Sequence, residues 1–154
     1  NMNYLEQLLD GQPGFRPIKR DPRWTRLSYY FAVFHYDPAV FGDVSREVFA
    51  RAVLAEGAAL QPNFDAPLSA NELYSAEGLR ANKLDFLFNQ HGRVIDYENL
   101  RFPVVESNTT VRRQHRTLLG PKEDMEALAG AVRKVYENVD ELVEFANATA
   151  TVTV

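Results

Sequence analysis

The chain has 154 residues, a formal net charge of -4 and a pI near 5.4, with 45% hydrophobic and 25% charged residues. That length can bury the core of one domain, and the balance is that of a globular rather than a disordered chain. The acidic excess argues against a nucleic-acid binder, and the absence of cysteine excludes disulfides, thiolate nucleophiles and cysteine-held metals.

No apolar run approaches the roughly 20 residues that span a bilayer. The opening Asn1-Met2-Asn3-Tyr4 lacks a basic stretch followed by an apolar one, so it does not read as a signal peptide. Met2 reads as the start of a natural segment behind a tag remnant, or as internal to a longer chain. Cysteine-free composition is compatible with the cytoplasm.

Tyr4 to Leu9 is predicted as a short helix, stopped by Gly11 and the Gln12-Pro13-Gly14 turn. Phe15 to Ile18 is a candidate strand, placed at a sheet edge because Pro17 cannot donate to a ladder. Lys19 to Arg26 is charged and reads as a solvated loop. Leu27 to Tyr36, aromatic and β-branched, is predicted as the central strand.

Ser45 to Glu56 reads as a helix with Ser45 as its cap and Gly57 as its stop. Val48, Phe49, Ala52 and Val53 form its apolar stripe. Ala58 to Leu60 is expected to begin a strand that ends near Pro62. Asn71 to Asn82 has helical character, and Leu84 to Phe88 is a short apolar run. This long middle segment is where binding loops are expected. Phe102 to Arg113 is predicted helical behind Pro103, and Thr117 to Leu119 a short strand.

The last element is predicted as one amphipathic helix opening at Pro121. Met125, Leu128, Val132, Val135, Val139 and Leu142 recur at three- and four-residue spacing. Residues 1–146 read as one domain, and 147–154 as a tail that frays or adds an edge strand.

Catalytic chemistry is harder to find. His35, His91 and His115 match no metal-ligand spacing. His35 reads as a packed or paired strand residue, and His115 as a surface or ligand-facing one. There is no nucleophile elbow and no Gly-rich phosphate loop. A Schiff-base lysine needs a dry pocket. Lys122 and Lys134 fall outside the last helix's apolar stripe, Lys19 lies in the charged loop, and only Lys83 has an undetermined setting.

Three ordered segments carry a resemblance. The first runs Ser28-Tyr29-Tyr30-Phe31-Ala32-Val33 through Asp37-Pro38 and Phe41-Gly42 to Ser45-Arg46-Glu47 and Ala55-Glu56-Gly57. The second is Phe102-Pro103-Val104-Val105-Glu106. The third is Leu118-Leu119-Gly120 with Asp124-Met125, Ala131, Lys134-Val135, Asn138 and Glu141-Leu142. Together they resemble the C-terminal domain of the DegT/StrS class of pyridoxal-phosphate aminotransferases, which act on keto sugars and aminocyclitols. The match runs from about Tyr4 to Phe145.

The resemblance implies an α+β domain, with a small, mainly antiparallel sheet and helices packed on it, as in fold-type I aminotransferases. It implies a large pyridoxal-phosphate (PLP) domain elsewhere, in the same or a separate chain, and a homodimer contact. On that reading this chain alone binds no cofactor and shapes the substrate cleft. Gln61 to Leu68 then occupies the place of a substrate loop, which makes Asn63, Phe64, Pro67, Leu68 and His115 the cleft candidates. Ser107 to Gln114 is more polar than the corresponding run in many relatives. Two other functions compete: a stand-alone, non-catalytic domain that binds a large subunit or another protein, and a small-ligand module using the middle segment. None of the three involves nucleic acid or a membrane.

Overall fold

A computed structural model describes residues 1–64, 70–83 and 109–150. The chain divides into two compact units, Asn1–Asn63 with Thr109–Val154, and Phe64–Asn108. Among the described residues are five α-helices and one four-stranded antiparallel sheet. The α+β expectation therefore holds.

The first unit carries the sheet. Helix α1 (Met2–Leu8) buries Met2 and Leu5. Strand β1 (Phe15–Pro17) is an edge, and β2 (Phe31–Tyr36) lies beside it in the order β1-β2-β4-β3. Strand β4 (Thr110–Gln114) is the second inner strand, and β3 (Gln61–Pro62) the far edge. Both prolines, Pro17 and Pro62, thus sit on edge strands, where their missing N–H costs least. Helix α2 (Arg46–Ala55) begins as expected, with Ser45 Oγ accepting from the Val48 N–H. Gly57 ends that run at φ +90°.

Alternation on β2 and β4 makes two sheet faces. Ala32, Phe34, Tyr36, Val111 and Arg113 point inward, and Phe31, Val33, His35, Thr110, Arg112 and Gln114 lie on the half-covered side. The inner face meets an aromatic cluster: Phe15 stacks on Phe34 at 5.1 Å, Tyr36 on Phe49 at 4.5 Å, and Phe41 meets Phe49 edge-on at 4.9 Å. Each fully buried phenylalanine contributes about 1.5–3 kcal/mol. The Tyr36 hydroxyl donates to the Val44 carbonyl at 2.7 Å, so its polar end is satisfied. Leu5, Leu9, Met125, Leu128 and Val132 complete the core.

Two glycines make this packing possible. Gly14 has φ +66°, and a Cβ there would lie 2.6 Å from Val40 Cβ. Gly42 has φ +68°, and its Cβ would lie 2.5 Å from Val143 Cγ2.

Several expectations are corrected. The strand predicted over Leu27–Tyr36 starts only at Phe31, because β4 ends at Gln114, directly opposite Phe31, and among the described residues no strand pairs with Leu27–Tyr30. Of the predicted helix Phe102–Arg113, Thr110–Arg113 belong to β4, and 102–108 lie outside the described residues. There the alternating cross-strand pairs with β2 override the helical reading. Thr117–Leu119 belong to a short 3-10 helix, His115–Leu119. The Thr117 hydroxyl donates to the Gln114 carbonyl and accepts from Arg113 Nε, a local network that competes with strand pairing. At the far edge the strand ends at Pro62 as expected but opens only at Gln61, and Ala58 and Leu60 are buried ahead of it.

The single final helix is two. With the short helix Ala76–Ala81 as α3, helix α4 is Lys122–Glu137 and α5 is Val139–Ala150. They break at Asn138 (φ -120°, ψ 42°), whose side-chain amide donates back to the Lys134 carbonyl while its own carbonyl accepts from Leu142. Asn147 to Ala150 continue α5, where the sequence reads as a tail; 151–154 lie outside the described residues.

The described part of the second unit holds a 3-10 turn, Glu72–Tyr74, and helix α3, Ala76–Ala81. Extended Ser75 separates them and caps α3 by accepting from the Gly78 N–H. The Leu84–Phe88 run lies outside the described residues.

Candidate functional site

Of the cleft candidates, Asn63 and His115 belong to the first unit, and they mark opposite ends of β4. The Asn63 N–H donates to the Thr110 carbonyl and its side-chain amide to the Thr110 hydroxyl, both at 3.1 Å. The same carbonyl accepts from Arg46 at 3.3 Å. Asn63 therefore pins the start of β4. His115 follows the strand's last residue, five positions on, or about 16 Å at the usual rise of ~3.3 Å per residue. The structure does not bring the two to one point. Phe64 belongs to the second unit and is 66% exposed. Pro67 and Leu68 lie outside the described residues.

The His115 end forms a surface platform. The His115 N–H donates to the Tyr30 carbonyl at 3.4 Å, and Nδ1 lies 3.2 Å from the same oxygen. A carbonyl only accepts, so Nδ1 carries the proton, and in the neutral ring Nε2 remains the acceptor. The two rings stack with centroids 6.2 Å apart. Tyr30, 77% exposed, also meets Phe31 edge-on at 4.5 Å, and the Arg112 guanidinium lies 4.3 Å over the Phe31 ring. An aromatic face beside a phenol and an imidazole suits a hydroxylated ring, which offers C–H groups to stack and hydroxyls to bond.

Tyr30 and Arg112 were not singled out from sequence. Only the register that sets Phe31 against Gln114 carries Tyr30 to His115. The Tyr29-Tyr30-Phe31 run was the available signal, and it reads equally well as strand core.

Farther along the same face, Arg16, His35 and Thr110 form one cross-strand row. Burial, and then the Arg16 charge opposite, hold His35 below its ordinary value of 6.5, so it is neutral at pH 7. His35 is a packed strand residue.

The four lysines test the fit of pyridoxal phosphate. Lys19, Lys83, Lys122 and Lys134 are all exposed. Lys134 pairs with Glu56 at 2.6 Å, and Lys122 lies 5.0 Å over the Tyr4 ring. Lys83 sits at φ +57° in a turn after α3. None has the desolvated pocket that Schiff-base chemistry needs, so the described residues do not fit that cofactor's covalent attachment. Among the described residues no cluster of three His, Asp or Glu could hold a metal ion. No described helix is long and apolar enough to cross a membrane.

No protein-family model matches the chain. Individual relatives do. A Streptoalloteichus tenebrarius protein, provisionally named an L-glutamine:3-amino-2,3-dideoxy-scyllo-inosose aminotransferase, is 31% identical over 92% of this chain and 35% of its own length. The same organism's L-glutamine:2-deoxy-scyllo-inosose aminotransferase is 32% identical over 92% of this chain and 33% of its own. The Streptomyces fradiae protein of that second name is 33% identical over 90% of this chain and 32% of its own. The chain spans about a third of the length of the curated relatives it matches, and its similarity to these aminotransferases runs along nearly all of it.

Proposed function

We propose that this chain is the C-terminal small domain of a DegT/StrS-type, PLP-dependent aminotransferase that acts on a keto sugar or cyclitol. The observation that carries the reading is the similarity, over 92% of the chain, to a third of an aminotransferase named for an inosose substrate. Residues 1–146 act as the domain proper. The exposure of all four lysines supports placing the cofactor and its covalent chemistry on a large domain, in the same or a separate chain. This domain contributes cleft walls and contacts within a homodimer. Tyr30 and His115 form the part of the wall that stacks on and hydrogen-bonds the hydroxylated ring, and the Asn63–Leu68 segment forms another. The assembly works in the cytoplasm.

The test uses the chain joined to, or mixed with, its lysine-bearing partner. Glutamine-dependent amination of a cyclitol ketone is the expected activity. Tyr30→Ala and His115→Ala should raise KM for the ketone about tenfold while leaving the melting temperature unchanged. A borohydride-stable cofactor adduct on this chain alone, or native reading frames with no lysine-bearing partner for it, would overturn the proposal.

A further inference from the structure

We infer that Arg113 is the positioning residue of the Tyr30–His115 platform: its guanidinium braces the His115–Leu119 turn and so fixes which way the imidazole faces and which nitrogen carries the proton. That the platform meets a hydroxylated ring rests on the proposed function. The brace itself belongs to this chain and is tested separately.

His115 needs support that its own contacts do not supply. Its side chain is exposed. Its two hydrogen bonds to the Tyr30 carbonyl are 3.4 Å through the backbone N–H and 3.2 Å through Nδ1, at or past the long end of the usual range of about 2.7–3.2 Å. Tyr30 lies ahead of β2 and pairs with no strand among the described residues. The turn also starts without a side-chain cap: Gln114 holds the N-cap position, and its side chain makes no capping bond. A short 3-10 turn with an uncapped start frays unless something else ties it down.

Arg113 ties it down. Alternation along β4 turns Arg112 outward and Arg113 inward, where Arg113 is 8% exposed. Its Nε donates to the Thr117 hydroxyl at 2.8 Å and its Nη1 to the Ala59 carbonyl at 3.0 Å. The Thr117 hydroxyl donates its one proton to the Gln114 carbonyl at 2.7 Å, which leaves its lone pairs to Arg113. The bonds therefore run from Ala59 through Arg113 to Thr117 and back to Gln114, the residue before His115. Residues 113, 114 and 117 are held, and His115 stands between them. At the other end of the turn Gly120 admits the Asp124 side chain, since a Cβ there would collide with the Asp124 carboxylate.

Stability alone does not call for a cation at this place. Burial lowers the guanidinium from its ordinary value of 12.5, with the Asp124 charge acting the other way. Among the described residues no carboxylate lies within ion-pair distance of it. An apolar side chain of similar volume is often at least as stabilising as a buried charge. It cannot, however, join two acceptors that lie on segments 54 positions apart from one another's donor in fixed geometry, as the planar arginine fork does. With the turn held, Nδ1–H stays on the Tyr30 carbonyl and Nε2 remains an acceptor for a hydroxyl of the bound ring. Without the brace the imidazole rotates and exchanges tautomers, and that acceptor is lost for part of the time.

Long-range proton–nitrogen NMR spectra of the 154-residue chain report the tautomer, and His115→Gln assigns the signal. The Nδ1–H form should dominate in the unaltered chain. Thr117→Val removes the hydroxyl while leaving the buried guanidinium in place, and should give mixed tautomers; Arg113→Lys should do the same. Thr117→Ser keeps the hydroxyl and should keep the single tautomer. With the lysine-bearing partner joined or added, Thr117→Val should raise KM for the cyclitol ketone about fivefold at unchanged kcat, and Thr117→Ser should restore it. A His115 signal and a KM indifferent to Thr117→Val and Arg113→Lys would sink the inference. So would variants that lower the melting temperature and change nothing else. If the His115 signal responds while Tyr30→Ala and His115→Ala leave KM unchanged, the brace stands and the proposed cleft role fails.

Discussion

The two faces of the sheet follow different rules although they alternate along the same strands. On the inner face, Phe34 and Val111 are fully buried and Tyr36 nearly so, and each side chain is specified by the volume it fills. On the outer face, Phe31, His35 and Arg112 are only partly covered, and the side chains there carry charge, rings and hydrogen-bonding groups. Arg112 and Arg113 make the contrast sharpest, since they are neighbours pointing opposite ways. Arg113 is 8% exposed and bonds the Ala59 carbonyl at 3.0 Å and the Thr117 hydroxyl at 2.8 Å. Arg112 lies over an aromatic ring. One arginine ties core elements together, and the other helps build a surface.

The largest expected effect lies on the inner face. Phe34→Ala removes the ring stacked on Phe15 and should cost about 3–5 kcal/mol, read by urea denaturation. A loss below about 1 kcal/mol would mean the two faces do not differ as described. Next, Arg113→Met keeps the aliphatic bulk but deprives the Ala59 carbonyl of its donor, and should cost about 1–3 kcal/mol by the same measurement.

His35, on the outer face, gives a smaller effect visible through pH. Its folded value lies below 6.5, so the unfolded chain binds more protons at mildly acid pH. Its contribution to stability is therefore complete above about pH 6.5 and declines as pH falls from there toward the folded value. His35→Gln should flatten the stability profile across that window, and an unchanged slope would assign the dependence to other groups. The smallest effect on stability belongs to Tyr30→Ala. With the ring 77% exposed, the change should stay within about 0.5 kcal/mol even where ligand binding is lost. A larger cost would make Tyr30 a packing residue and weaken its place in the proposed cleft.

Much of the fold was legible because local signals agreed with their surroundings. Ser45 caps α2, Gly57 stops it, Pro17 marks an edge, and the stripe from Met125 to Val135 buries as its spacing requires. The errors fall where a partner decides. Thr110–Gln114 becomes a strand because β2 offers a complete ladder, and Leu27–Tyr30 does not because that ladder ends at Gln114. The break at Asn138 depends on one side chain capping α4, which an uninterrupted apolar period conceals.

The candidate site was less legible for the same reason. Sequence could nominate Asn63 and His115 one at a time, yet their positions at opposite ends of β4, and the pairing of His115 with Tyr30, exist only once the register is set. A one-residue slip would send every side chain of a strand to the other face. By itself, then, the sequence determined the composition class, the helix caps and the edge prolines. Tertiary structure decided which arginine is buried and which tyrosine meets His115. The physical reason is range: caps and periodicity act over one or two turns, whereas register depends on residues more than eighty positions apart, as Tyr30 and His115 are.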